Sequence, residues 1–266
     1  MNSFVSIILV EPENPDNIGA VARAMKNMGF CDLRLVRPVK QWKKKGKKLA
    51  MAACDVLVGA SAFPSVEEVV SDLNLVIGTT RRSGPKRGAF LGFEDVIARI
   101  KKVKFPQRVG IMFGKESKGL DNQSLNCCDW VTMIPSHPAY PSINLAQAVM
   151  IMCFSLFDRS VRSLSAIPRR GSFKRKEHAG DSGNKLMFLP QKEVWITIER
   201  FRSALDMLGY GSENREVRER ICSTLKRLFK RNGLIESEAQ MFKGISRRIC
   251  EIVGGERKLC STQRLK

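Results

Sequence analysis

At 266 residues with 43% apolar side chains, the chain can hold one large domain or a medium domain plus a small one. No run approaches the ~18 uninterrupted apolar residues of a spanning helix, and the N-terminal MNSFVSIILVEPENPDN has an apolar run too short for a signal peptide and no basic leader, so no membrane span or signal peptide is expected and the cytoplasm is the expected compartment. Lysine and arginine number 46 against 26 acidic residues, a net +20 that is sustained most easily beside a polyanion. Nucleic acid is therefore the expected partner, and a merely solvated basic surface is the alternative.

In chain order, Phe4–Val10 reads as a strand and Glu11–Asn17 (EPENPDN) as a turn-rich loop. Ile18, Val21, Ala22, Met25 and Met28 then recur on one helical face, and Gly29 stops the helix. Leu33–Val36 is a second strand, followed by the lysine cluster 43–48, a short helix at Leu49–Ala53 and a brief extended piece at Asp55–Val58. Ser65–Asp72 is helical, Leu75–Gly78 is a buried strand running into Thr79-Thr80-Arg81-Arg82-Ser83, and Phe93–Lys102 is a helix. Val109–Phe113 and Trp130–Ile134 are apolar strands expected to end side by side, the first in Gly114-Lys115-Glu116 and the second in a loop with Pro135, Pro138 and Pro141. Ser142 is the expected N-cap of the apolar helix that follows. This alternation predicts an α/β domain over residues 1–165 with a mainly parallel sheet and a ligand crevice at its carboxyl edge.

Residues 166–190 are basic and lack apolar periodicity, as a linker does. Residues 191–253 carry a purely helical pattern in three helices, and 254–266 read as a disordered basic tail. The eight cysteines show no CxxC and no zinc-ligand spacing, so reduced, mainly buried thiols are expected and a metal site is not.

Only two histidines are present, His137 in the proline-rich loop and His178 in the linker, which removes His-based triads and multi-histidine metal centres. Gly110-Ile-Met-Phe-Gly114-Lys115 is one residue short of a phosphate loop and lacks its Ser/Thr, and no GxGxxG follows a strand. Three weaker candidates survive. Asn17 sits before a helix that carries Arg23 off its apolar face, Glu116 lies between Gly114 and Gly119 at a strand end, and Thr79–Arg82 offer hydroxyls and guanidinium groups at another. Taken singly, each is equally well a solvated arginine, a tight turn or a strand terminus.

As an ordered set, NPDNIGAVARAM, FGKESKGL and IPSHPAYPSINLAQAV resemble the three motifs of the SpoU-like RNA ribose methyltransferases of the SPOUT superfamily, and within them the TrmJ type. RLFKRNGLIESEAQMFKGI resembles, less sharply, the small C-terminal domain of that type; Ile143 departs from the usual leucine, and Pro141 precedes the Ser-Ile-Asn triplet. The resemblance implies a deep trefoil knot, which the ordinary rule against knotted chains would not suggest. It further implies a homodimer through the knotted domain, S-adenosyl-L-methionine as cofactor, and methylation of a ribose 2′-hydroxyl of tRNA, with cytidine or uridine at position 32 of the anticodon loop as target. Arg23, Ser142, Asn17 and Glu116 become the implied catalytic residues. Thr79, Thr80, Arg81, Gly114, Ile134, Ser142, Ile143 and Asn144 become the implied cofactor-binding ones, and no metal is implied. A base-modifying methyltransferase of the same superfamily and a non-catalytic RNA-binding knotted protein are the alternatives.

Overall fold

The computed structural model describes residues 4–81, 89–103, 106–157, 187–211 and 214–263. Six strands form one sheet: β1 (Val5–Val10), β2 (Asp32–Val36), β3 (Ser61–Phe63), β4 (Leu75–Thr79), β5 (Val109–Phe113) and β6 (Trp130–Thr132). They lie in the order β3-β2-β1-β5-β4-β6, and every pairing is parallel. A parallel sheet is covered on both faces, which is why VSIILV and VGIMF are unbroken apolar runs, buried at every position. Successive side chains still alternate. Ile7 and Leu9 of β1 join the core under α1 (Pro15–Asn27), α5 (Phe93–Lys102) and α7 (Leu145–Leu156), whereas Ile8 and Val10 face α4 (Val66–Val70) and α6 (Asn122–Asn126). Cys153 of α7 lies in the first core, where burial pushes its thiol up to about 12, as expected of an inert structural thiol.

Several local expectations need correcting. β5 and β6 do not end side by side, because β4 lies between them. Asp55–Val58 is not extended. It belongs to α3 (Cys54–Gly59), which follows α2 (Trp42–Ala50) and a 3₁₀ turn at Met51–Ala53. Buried neighbours Val56 and Leu57 gave no period to read, and the real edge strand, β3, has exposed residues and no apolar signature. The lysine cluster is the body of α2, held by buried Trp42, Gly46 and Ala50. At the first helix, Asn14 is the N-cap, its Oδ1 accepting the Asp16 amide at 2.9 Å, with Pro15 in the first turn. Asn17 is thus inside α1 rather than in the turn before it.

Residues 191 onward form α8 (Gln191–Leu205), α9 (Arg215–Asn232) and α10 (Glu236–Gln263) around their own core of Val194, Ile198, Leu205, Cys222, Leu234 and Ala239. Phe242 stacks edge-on against Phe201 and Phe229. α10 runs on through most of the expected tail, and the linker up to residue 186 lies outside the described residues, as does Arg82. The helical unit docks on the amino ends of β4 and β6, away from the carboxyl edge. The Gln191 amide group donates to both Asp129 oxygens at 3.0 and 2.9 Å, and Asp129 accepts the Val76 backbone amide at 2.7 Å.

Between α1 and α2 the backbones touch: a Cβ on Gly19 would lie 2.0 Å from the Gly46 carbonyl oxygen. Gly19→Val should therefore separate the two helices and cost about 1–3 kcal/mol, read as a lower urea midpoint at unchanged slope. A wild-type midpoint would mean that this close approach is not a constraint.

Candidate active site

The carboxyl ends of β4, β5 and β6 open into a crevice with a volume of about 140 Å³. Thr79, Thr80 and Arg81 line it from β4, Gly114 and Glu116 from β5, and Ile134, Ser142 and Ile143 from the segment between β6 and α7. Eight of the sequence-derived candidates are therefore brought to one place. Its walls are apolar at Phe113, Ile134, Ile143 and Leu145 and carry hydroxyls at Thr79, Thr80 and Ser142. Thr79 is anchored by donating its hydroxyl to the Met112 carbonyl at 2.9 Å.

Gly114 has a steric requirement. A Cβ there would lie 2.1–2.4 Å from the Gly119 and Leu120 backbone, because Lys115 and Gly119 close a tight turn through a 2.8 Å amide–carbonyl bond. Gly119 itself has φ +72, in the left-handed region. The turn is tied to the loop after β1 by a reciprocal clasp. The Glu116 carboxylate accepts the amides of Glu13 (2.8 Å) and Asn14 (3.3 Å) and the Asn17 side-chain amide (2.9 Å). In return the Glu13 carboxylate accepts the Ser117 amide at 3.0 Å and its hydroxyl at 2.8 Å. Glu11 pairs with Lys115 and Arg37 beside this clasp, and Lys115 more than Arg37 holds its carboxyl below the usual range.

Asn144, not Ser142, caps α7: its Oδ1 accepts the Ala146 amide at 2.9 Å. Its Nδ2 donates to Asn17 Oδ1 at 3.1 Å, so Asn17 bridges Glu116 and Asn144. Ser142, two residues earlier, is released from capping and faces the crevice. Arg23 is not in the crevice. It is exposed in an adjoining open groove between α1 and α7, with Leu49, Ile143, Gln147 and Met150. His137 accepts the Ala139 amide at 3.3 Å, the bond of a loop residue. Among the described residues no cluster of three metal-ligating side chains exists.

Glu13 was missed by sequence reasoning, and no signal marks it: it is one acid of three in a loop without periodicity, and its partner lies 104 positions away.

The sequence model of the SpoU rRNA Methylase family matches residues 5–154, the β1–α7 unit that builds this crevice. The chain belongs to that family. It is 28% identical over 243 residues to the tRNA (cytidine/uridine/adenosine-2′-O-)-methyltransferase TrmJ of Pseudomonas aeruginosa, spanning 91% of each chain. It is 32% identical over 163 residues to the tRNA (cytidine-2′-O-)-methyltransferase TrmJ of Methanocaldococcus jannaschii, covering 60% of this chain and 70% of that one. Among solved structures, TrmJ from Z. mobilis ZM4 superposes with a TM-score of 0.71 at 28% identity, over 92% of this chain and 98% of that one. As a SpoU-family chain with a TrmJ-like length and shape, it carries the helical unit as well as the catalytic-type domain.

The hydrogen bonds from Ser117, hydroxyl and amide, lower the Glu13 pKa. The clasp is thus at full strength above the ordinary glutamate value of about 4.3 and is lost as pH falls through the lowered one. The Ser117 amide resonance should shift with a midpoint below that value, and Glu13→Gln should remove the transition. A midpoint at or above the ordinary value would rule out the clasp.

Proposed function

We propose that this SpoU-family chain is an S-adenosyl-L-methionine-dependent methyltransferase acting on a ribose 2′-hydroxyl of tRNA, with cytidine or uridine at position 32 of the anticodon loop as the target. The observation that carries this reading is the convergence of Thr79, Gly114, Glu116, Ile134 and Ser142 on one crevice, in a chain that a TrmJ enzyme matches over 91% of its length. The crevice suits the cofactor: apolar walls at Phe113, Ile134 and Ile143 for an adenine, and hydroxyls at Thr79, Thr80 and Ser142 for polar groups, beside a glycine turn with no room for a side chain. When bound, S-adenosylmethionine supplies a methyl group on a cationic sulfonium that departs as a neutral thioether. The protein then has to hold the ribose oxygen in line and manage its proton.

Ser142 is free of the helix cap and is the hydroxyl best placed to orient the ribose or accept its proton. A guanidinium offers hydrogen-bond donors and no acceptor, so the role of Arg23 is to clamp the ribose-phosphate and stabilise negative charge growing on the 2′-oxygen. Glu116 and Asn17 position the crevice loops. Glu116 already accepts three hydrogen bonds, which disfavours the base-modifying alternative with this carboxylate as its general base.

Two further features of the family are proposed for this chain. The 89–91 segment bonds one edge of β6 while β4 bonds the other. β6 is thus flanked on both edges by chain that precedes it in sequence, which supports reading this end of the sheet as a trefoil knot. Arg23 lies outside its own crevice, in a groove bordered by Leu49 and Ile151, with Phe154 exposed on the same helix as Ile151. A second copy packed there would cover these apolar side chains and carry Arg23 to a neighbouring crevice, which makes the working unit a homodimer.

Total tRNA incubated with the full chain and S-adenosylmethionine should yield 2′-O-methylcytidine or 2′-O-methyluridine on nucleoside analysis. Base-methylated nucleosides, or none, would overturn the assignment. Arg23→Ala should lower turnover by about 100-fold or more while cofactor affinity stays in place. Mixing Arg23→Ala with Asn144→Ala chains should restore turnover if the arginine acts across the dimer; no restoration would place both groups in one subunit.

A further inference from the structure

Resting on the reading above, we infer that α2 is a rail for RNA phosphates fixed to the helix that carries Arg23. The argument starts from how poorly WKKKGKKLA suits a helix. It places a glycine mid-helix and sets like charges four apart, Lys43 with Lys47 and Lys44 with Lys48, each of which opposes helix formation. Its ends bring no relief. Gln41 before it and Met51 after it both sit at positive φ, 59 and 49, and no side chain caps the start. What holds α2 is one face: buried Trp42, Gly46 and Ala50, with Gly46 pressed against Gly19 of α1 so closely that a Cβ on Gly19 would lie 2.0 Å from the Gly46 carbonyl oxygen.

The opposite face is all lysine. Residues 33–54 contain no aspartate or glutamate. Lys43 is engaged, donating to the Val58 carbonyl at 2.8 Å, but Lys44, Lys45, Lys47 and Lys48 are exposed and make no ion pair with the described residues. Some basic groups elsewhere on the same domain do: Lys26 with Asp55, Arg37 and Lys115 with Glu11, and Arg108 with Asp72. A solvated surface helix would gain from a nearby carboxylate. This one keeps its repulsion uncompensated, as a surface does when a polyanion supplies the counter-charge.

Position selects the polyanion. Leu49 lines the groove of Arg23, and Lys45 sits one turn earlier on the same flank of α2, while Lys44 and Lys48 occupy the centre of the outward face. Because Gly46 and Gly19 join the two helices backbone to backbone, the lysines keep a fixed offset from Arg23, whichever subunit's crevice that arginine serves. The chain of phosphates flanking the ribose gripped by Arg23 is the ligand this offset fits. Phosphate binding of this kind holds and registers the RNA without reading its sequence.

The test compares the full-length wild type with K44Q/K45Q/K47Q/K48Q, measuring tRNA affinity between about 50 and 250 mM salt alongside S-adenosylmethionine affinity. The glutamine variant should bind tRNA at least about tenfold more weakly, and its log–log salt slope should flatten by about 0.7–0.9 for each phosphate it no longer neutralises. Cofactor affinity should not move, and the all-arginine variant should recover the wild-type slope. An unchanged slope with normal cofactor binding would overturn the rail, as would an arginine variant no better than the glutamine one. Should the glutamine variant fail to bind cofactor, the charge reversal K44E/K48E, on the two most outward positions, decides by the same slope. Failure of the function reading looks different: wild-type protein would bind tRNA salt-sensitively but leave no 2′-O-methyl nucleoside in it.

Discussion

The Asn17 side chain donates to Glu116 and accepts from Asn144, and through these two bonds three segments distant in sequence become one rim. Glu13–Ser117 and Glu11–Lys115 also tie the loop after β1 to the glycine turn, and Asn17, at the start of α1, extends that connection to the start of α7. Each Asn17 bond is exposed and contributes only about 1 kcal/mol, so their value is positional rather than energetic. They also explain the placement of the crevice. In an open parallel sheet of this order, chain connections diverge between β1 and β5, where a ligand would ordinarily sit. Here that gap is filled by the Glu13–Ser117 and Glu116–Asn17 clasp, and open space appears instead over β5, β4 and β6.

The two ends of the sheet are used differently. The carboxyl edge carries the crevice, its hydroxyls and the proline-rich loop, whereas the amino ends of β4 and β6 are sealed by α8 through Gln191 and Asp129. The helical unit therefore does not line the crevice of its own chain. It presents further basic residues, such as Lys226 and Arg227 of α9, while the side chains of Lys230 and Arg231 lie outside the described residues. Among the described residues, α2 is an uncompensated positive surface bordering the groove of Arg23, joined to α1 through the close glycine approach rather than through any ion pair.

Much of the fold was legible because parallel strands buried on both faces leave unbroken apolar runs and amphipathic helices leave a period. β1, β4, β5, α1, α5 and α7 carry such signals. α2 and α3 did not, since five lysines, a glycine and two adjacent buried residues obscure any period, and β3 is an edge strand with no apolar face. The candidate site was legible through its motifs, whose glycines and polar residues sit at strand ends. Three relations were not: that Asn144 rather than Ser142 caps α7, that Glu13 answers Glu116, and that Arg23 stands outside its own crevice. The last two are set by tertiary distances that no local spacing encodes, whereas the first is a local choice between two polar residues two positions apart.

The claim on which the rest depends is that Asn17 locks the crevice by bonding Glu116 and Asn144 together. A double-mutant cycle on S-adenosylmethionine affinity, by calorimetry with Asn17→Ala, Asn144→Ala and the pair, measures that coupling directly. The structure predicts that either single substitution weakens binding and that the double variant is little worse than the singles, a coupling of about 0.5–3 kcal/mol. Strictly additive losses, or an Asn17→Ala chain with wild-type affinity, would contradict it.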